Sequence, residues 1–428
     1  MHAVNYFNKL FVFLLVFFFV LSPRFDFNVA IHAGYFSVAL LASTCAIRKR
    51  ALFSLPKPLV AITAFFLVLA IYHLVFATLY DNNGSYFFSI CISIIVSNVF
   101  GWMLASYLVK SGTNNNDLID QLLIICAMVA VINASVVLVE YALPEIKSVI
   151  ESYLLQVVDS NTNYADHSFN LRGLAGGGGA ALSVFNAIAI LFLIYLVGNK
   201  KIAASFALLS AVVITCSNIL TGRTGLILSL LFTLLLLVVI LIKDLKSGFI
   251  GGMRIITNVI FVLILLSLLD KYELDQEAAE WAFEWADGLV LGKFESASSE
   301  DLKTMLFLPD NFMDLIFGVG FFEGFGKIYP RSDSGYIKTI LSIGILLSIL
   351  LYSAIIFIYF QINKVSSKYF WLVVAISSVM LFIEIKEPFL YQNYAARSMF
   401  LLSGAAMFVL RKRRTSAGRN LNPAKYAE

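Results

Sequence analysis

The sequence predicts an all-α polytopic membrane protein with about 12 transmembrane helices. Hydrophobic residues make up 60% of its 428 residues and charged residues only 14%, whereas soluble chains carry roughly 25% charged residues. Mean hydropathy is +0.86. Apolar runs of the ~20 residues that cross a bilayer recur from Phe7 to Leu410. We therefore expect a single integral membrane domain over residues 1–428.

The predicted spans follow the apolar runs between charged breaks. They cover residues 7–22, 29–47, 58–80, 85–109, 118–143, 177–198, 202–220, 224–242, 254–269, 335–361, 369–384 and 394–410. The first run has no small-residue cleavage pattern before Pro23 and Arg24, so we expect an uncleaved span rather than a signal peptide.

Lysine and arginine placement sets the predicted orientation, because cytoplasmic loops hold an excess of these residues. With the N-terminus inside, 19 of the 31 basic residues fall on the cytoplasmic side. An even span count places both termini in the cytoplasm, with residues 411–428 as a cytoplasmic tail. The basic residues lie between apolar runs and not on one soluble face, which argues against nucleic-acid binding.

Two external segments are too long to be simple turns, and loops of such length are usually functional or disordered. They cover residues 144–175 and 270–334. The second holds 14 of the 27 acidic residues and five basic ones. Within it, Trp281 and Trp285 recur at helical spacing on an apolar face. We predict short helices over the external surface there, with a solvated acidic loop as the alternative.

Three arginines lie at the predicted external ends of transmembrane spans, against the positive-inside bias. They are Arg172, Arg223 and Arg331. A guanidinium fork matches the paired oxygens of phosphate, so an anionic ligand is one explanation. A lipid headgroup or a salt bridge to the acidic second loop is the other. Gly222 and Gly225 flank Arg223 and would allow close approach of backbone and ligand.

A carboxylate near the membrane surface can serve as a general base, because desolvation raises its pKa. Asp333 is the strongest candidate, since it lies two residues after Arg331 and immediately before a span. The alternatives are Glu323, Asp310, Asp314 and Glu387. The four cysteines lie far apart inside apolar runs, a spacing that suits no metal site. We predict neither a metal nor a cofactor.

Several of these features together resemble the O-antigen polymerase (Wzy-type) family and the related O-antigen ligases. They are Arg172 before a Gly-rich span, the Thr221–Gly225 turn, the late external loop, and Gly318–Gly320 leading to Ser332–Tyr336. The resemblance implies a glycosyltransferase of the bacterial inner membrane with its active face in the periplasm. It would transfer a growing glycan from undecaprenyl diphosphate onto a lipid-linked oligosaccharide repeat unit.

The resemblance also implies roles for individual residues. Arg172 and Arg223 would bind the diphosphate. Asp333 is assigned as the base on chemical grounds, because the acceptor hydroxyl needs a proton acceptor within hydrogen-bond reach. The predicted substrate-binding residues are Arg331, Asn170, Gly222, Gly225, Tyr336, Trp281 and Trp285. Expected partners are membrane lipid, a chain-length regulator and a flippase.

Two other functions compete with the polymerase. O-antigen ligases commonly carry a His-Asn pair where this chain has Asp333 and Ser334, which disfavours a ligase. A flippase or transporter for lipid-linked oligosaccharide would also have about 12 spans. Transporters usually show internal repeats and charged residues at midmembrane depth, and neither pattern is evident in the sequence.

The predicted orientation can be tested with topology reporters fused at four positions. We expect cytoplasmic signals after Lys364 and Arg414 and periplasmic signals after Ser160 and Ser299, because the basic breaks alternate with the two long loops. Signals from opposite sides of the membrane at positions 160 and 299 would contradict the topology.

Overall fold

The structure is a computed structural model, and it is mostly helical. It describes residues 2–26, 30–47, 55–82, 84–111, 113–115, 117–154, 171–245, 304–322, 329–330 and 332–421. Seven helices are long and apolar enough to cross a membrane, and shorter apolar helices accompany them. The chain is therefore an all-α membrane protein.

The helices follow the predicted spans closely. They are α1 (His2–Leu21), α2 (Ala33–Ile47), α3 (Lys57–Leu79), α4 (Ser85–Lys110), α5 (Leu118–Ala142), α6 (Pro144–Tyr153), α7 (Gly179–Gly198), α8 (Ala204–Thr221), α9 (Arg223–Leu245), α10 (Phe312–Phe317), α11 (Gly335–Tyr359), α12 (Gln361–Val365), α13 (Phe370–Ile383) and α14 (Tyr394–Leu421). Eleven of the predicted spans coincide with a helix. The twelfth, 254–269, lies outside the described residues.

Two local features differ from the sequence prediction. Strands β1 (Arg24–Asp26) and β2 (Ala30–His32) form a short antiparallel hairpin, and β2 occupies the start of the predicted second span. Helix α14 continues to Leu421, well past the predicted span end at residue 410. The arginines and lysine that follow Leu410 end an apolar run but are favourable residues in a helix.

The described chain divides into two compact units. The first unit contains Met1–Lys9, Val38–Ile119 and Ala297–Glu428, and the second contains Leu10–Ser37 and Asp120–Ser296. Helices α3, α4, α11 and α14 pack in the first unit, and α7, α8 and α9 pack mutually in the second. A single integral membrane domain stays a prediction.

Glycines allow α4 and α14 to pack closely in the first unit. A Cβ added at Gly101 would lie 2.0 Å from the carbonyl oxygen of Leu401, and one at Gly404 would lie 2.0 Å from that of Asn98. Small residues at such contacts let two membrane helices approach backbone to backbone. This reciprocal contact fixes the crossing point of the two helices.

Helix α11 is interrupted at Gly344, which has φ 76° and ψ 165°. Residues 318–322, which follow α10, pack against α11 at this interruption. Val319 N–H donates to the Leu341 carbonyl at 2.8 Å, and Phe321 N–H approaches the same oxygen at 3.4 Å. Because the break leaves helical carbonyls without their usual donors, residues 318–322 supply these donors.

Residues 318–322 lie alongside α3 and α11, within the length of these two candidate spans and not beyond their ends. The Tyr72 hydroxyl donates to the Phe317 carbonyl at 2.8 Å, and Tyr72 is about 10 Å from the end of α3 at 1.5 Å per residue. A Cβ at Gly320 would lie 2.1 Å from the Ala77 amide nitrogen. Non-helical backbone at this depth is tolerated only when protein covers it, and residues 318–322 are all buried. The last part of the predicted acidic loop therefore packs into the first unit.

The glycine contact between α4 and α14 can be tested by substitution. Gly101→Ala should lower the unfolding temperature by several degrees, because the new methyl overlaps the Leu401 backbone and overpacking costs about 1–3 kcal/mol. Gly198→Ala is the matched control, since nothing lies within 4 Å of its Cβ position. Equal unfolding temperatures for the two purified variants would contradict the packing argument.

Candidate functional site

Arg223 begins α9 immediately after a one-residue break. Gly222 separates it from the end of α8 at Thr221. Gly222 N–H donates to the Asn218 carbonyl and Gly222 O accepts from Leu226 N–H, each at 3.1 Å. The start of a helix carries a partial positive charge, so the guanidinium and the helix terminus both favour an anion here.

The glycines beside Arg223 are required for close packing against α7. A Cβ at Gly225 would lie 2.2 Å from the backbone of Ser183, and one at Gly222 would lie 2.6 Å from the Ser183 hydroxyl. Gly225 N–H donates to that hydroxyl at 3.2 Å. The glycines therefore have a packing role, and the substrate-binding role of Gly222 and Gly225 stays a prediction.

A buried pair of amides lies under this turn. Asn218 Nδ2 donates to the carbonyls of Ser183 and Gly225, each at 3.1 Å. Asn186 Nδ2 donates to Asn218 Oδ1, also at 3.1 Å, and both asparagines are fully buried. These bonds hold α7, α8 and α9 together below Arg223. The sequence could have indicated this pair, because both asparagines lie inside predicted apolar spans.

Arg172 is buried and already paired. Its Nε donates to Glu151 Oε1 at 3.0 Å and its Nη2 donates to Glu151 Oε2, so the contact is bidentate. Arg172 is 1% exposed. Helix α6, which carries Glu151, buries none of its residues. Arg172 therefore forms a salt bridge in this structure, but its partner lies in the first predicted external segment and not in the acidic second one.

The backbone around Arg172 is fixed by two side chains of α5. Leu174 N–H donates to Asn133 Oδ1 at 2.8 Å, and Gly173 N–H donates to Glu140 Oε2 at 3.0 Å. On the other side, Leu171 N–H donates to the Leu220 carbonyl at 3.0 Å. That bond joins the segment of Arg172 to the end of α8, three residues before Arg223. The structure therefore brings these two arginine-bearing segments together within the second unit.

In the first unit, Asp333 lies just before α11 with its side chain 38% exposed. Its Oδ1 is 4.0 Å from Nζ of Lys338, which is largely buried. The hydroxyl of Tyr336 donates to the Leu381 carbonyl at 2.7 Å. Asp333 is thus accessible to a solute, while the hydroxyl of Tyr336 is engaged with the protein.

Glu384 ends the predicted eleventh span and was not among the predicted site residues, but it forms a buried polar cluster. Its carboxylate accepts from the Tyr352 hydroxyl at 3.0 Å and from Leu390 N–H at 2.7 Å. Its carbonyl accepts from Gly335 N–H at 2.9 Å. Thr339 Oγ1 lies 3.0 Å from the hydroxyl oxygen of Tyr352. Glu384 therefore ties the start of α11 to the turn between α13 and α14.

The other candidate bases have different surroundings. Asp314 is buried and accepts from Tyr80 at 2.9 Å and from Tyr329 at 2.8 Å. Burial, and then the bond to Asp314, raises the pKa of Tyr329 to about 12. Asp314 is therefore a tether for the segment after α10. Asp310 is exposed, and Glu323 lies outside the described residues.

Glu387 is a stronger candidate base than Asp314. Burial raises the pKa of its carboxyl, while the nearby Lys386 and Lys338 oppose that rise. A raised pKa makes a carboxylate a stronger proton acceptor. Its carboxyl also interacts electrostatically with Asp333, so the two acids lie in one region of the first unit.

Four predicted site residues lie outside the described residues: Asn170, Trp281, Trp285 and Arg331. Among the described residues, no group of three or more His, Cys, Asp or Glu could hold a metal ion.

Comparisons with known proteins give no further assignment. No protein-family model, curated protein or solved structure matches the chain.

Proposed function

We propose that this protein is a surface-polysaccharide polymerase of the O-antigen type. It would transfer a glycan from undecaprenyl diphosphate to a lipid-linked oligosaccharide repeat unit. The observation that supports this most directly is the hydrogen bond between Leu171 N–H and the Leu220 carbonyl. It joins the segments of Arg172 and Arg223, which are the two residues that the resemblance assigns to the diphosphate.

The chemistry explains why paired arginines are useful. Displacing a diphosphate from an anomeric carbon builds negative charge on the leaving group, and fixed positive groups stabilise it. Arg223 adds its charge to the positive end of α9. Arg172 adds a rigid bidentate fork, which matches phosphate oxygens as well as carboxylate oxygens.

Binding of a diphosphate at Arg172 requires an exchange of partners. The Glu151 carboxylate pairs with the Arg172 guanidinium in this structure, so a bound phosphate group would have to replace that carboxylate. Helix α6 buries no residue of its own, which makes its displacement inexpensive in apolar contacts. We infer that substrate binding releases Glu151 from Arg172.

Asp333 keeps the role of general base that accepts the proton of the acceptor hydroxyl. Its side chain is accessible and lies at the start of α11. Glu387 is the alternative base, because burial raises its pKa. We place the reaction at the periplasmic face of the inner membrane, with a flippase and a chain-length regulator as partners.

A flippase for the same lipid-linked sugar is the second candidate function. The interruption of α11 at Gly344 favours it, because discontinuous helices mark substrate sites in many transporters. The two functions differ in what accumulates when the protein fails. A defective polymerase leaves single repeat units outside the membrane, whereas a defective flippase leaves them inside.

The first functional test is substitution of Arg223. Arg223→Ala should abolish chain extension and leave single repeat units exposed at the periplasm, because the leaving group loses a positive charge. Arg223→Lys should restore little activity, since an ammonium lacks the bidentate fork. The measurement is the length distribution of the surface polysaccharide at matched protein levels in the membrane.

Lys303→Ala is the control, because it removes another predicted external cation that lies in the second long loop and not at the α8–α9 break. Long chains in Arg223→Ala cells would refute the phosphate assignment. Loss of periplasmic repeat units would instead support the flippase.

The second test separates the two candidate bases. Asp333→Asn should slow extension of purified lipid-linked repeat units by about 10²–10⁴-fold, which is the usual effect of losing a general base. Glu387→Gln should then leave the rate near wild type.

If the effects are reversed, Glu387 is the base. The wild-type rate should then fall as the pH drops through the raised pKa of Glu387, since only the deprotonated carboxylate accepts a proton. Initial rates across pH for all three proteins decide between these outcomes.

A further inference from the structure

A cavity of about 610 Å³ lies in the first unit, where the start of α3 meets the end of α11, helix α12 and the middle of α14. Four cationic side chains line it: Lys57, Lys364, Arg411 and Arg414. All four belong to basic breaks that the sequence assigns to the cytoplasmic side. The cavity is therefore distinct from the predicted external arginines.

The cationic side chains of this cavity have no carboxylate partner within the described ranges. Arg411 stands over the ring of Trp102 at 5.6 Å, and Lys364 stands over the ring of Phe357 at 4.5 Å. These aromatic contacts orient the charges without neutralising them. The Arg413 guanidinium donates to the Val365 carbonyl at 2.6 Å, which holds the end of α12 against α14. Four positive charges around one cavity favour an anion with more than one oxygen.

The remaining lining of the cavity is largely apolar. Met407, Leu410, Pro56 and Phe357 contribute to it, and Phe357 is 56% exposed on the outside of α11. A free phosphate ion would leave these apolar groups without a partner. A phospholipid would place its phosphate among the cations and its glycerol and acyl chains against the apolar side chains. Basic pockets between membrane helices on the cytoplasmic side suit such headgroups.

We propose that this cavity binds the headgroup of an anionic phospholipid from the cytoplasmic leaflet. The site is separate from the diphosphate site and does not depend on the polymerase assignment. It holds α3, α12 and α14 around one phosphate, so occupancy stabilises the packing of these helices around the cavity.

The test uses the full chain in nanodiscs or detergent and measures retention of phosphatidylglycerol by native mass spectrometry. The double variant Lys364→Gln and Arg411→Gln should bind it at least tenfold more weakly, since each cation near a lipid phosphate contributes about fivefold. Lys57→Gln with Arg414→Gln is a second variant at exposed positions, and we expect a similar loss.

The matched control is the double variant Lys110→Gln and Lys200→Gln, which removes two predicted cytoplasmic cations that do not line the cavity. Unchanged lipid retention in that control, with loss in both cavity variants, supports the proposal. Equal loss in the control, or full retention in the cavity variants, overturns it.

Two competing ligands complete the test. Phosphatidylcholine should bind equally weakly to every variant. Inorganic phosphate at millimolar concentration should not displace phosphatidylglycerol. If inorganic phosphate displaces the lipid and binds with the same dependence on Lys364 and Arg411, the site takes free phosphate and the lipid assignment is wrong.

Discussion

A backbone amide or carbonyl inside a bilayer has no water to bind, so each break in a membrane helix needs protein partners for the groups it frees. The break at Gly344 meets this requirement with the amides of Val319 and Phe321. The break between α8 and α9 meets it with Leu171 N–H, which donates to the Leu220 carbonyl, and with the Ser183 hydroxyl, which accepts from Gly225 N–H. Both breaks depend on glycines that admit a neighbouring backbone.

The helical spans could be predicted from the sequence because each depends on a local property, the length of an apolar run between charges. The α1–α2 region was less predictable. The short strands Arg24–Asp26 and Ala30–His32 pair with one another, and their few residues give no periodic signal. The extension of α14 to Leu421 was also missed, since a span prediction ends where the charges begin, whereas a helix does not have to.

The candidate site was predictable only in part, and the limits have a physical cause. Arg172 and Arg223 were found because arginine at the external end of a span is unusual for any membrane protein. Their surroundings depend on residues distant in the sequence. Glu151 and Asn133 reach Arg172 and its neighbouring backbone from separate elements, and no spacing rule links them. Glu384 likewise gains its role from Tyr352 and Leu390, which only the folded chain brings to it.

The pairing of Arg172 with Glu151 means that the protein carries its own competitor for the guanidinium. A tethered carboxylate acts at an effective concentration of about millimolar or higher, so a dilute monovalent anion cannot displace it. An anion that binds a second cation at the same time gains enough binding free energy to displace the Glu151 carboxylate. The Arg172–Glu151 contact therefore selects for anions of high charge that can bind more than one cation. When no such anion is bound, the contact keeps the buried guanidinium neutralised.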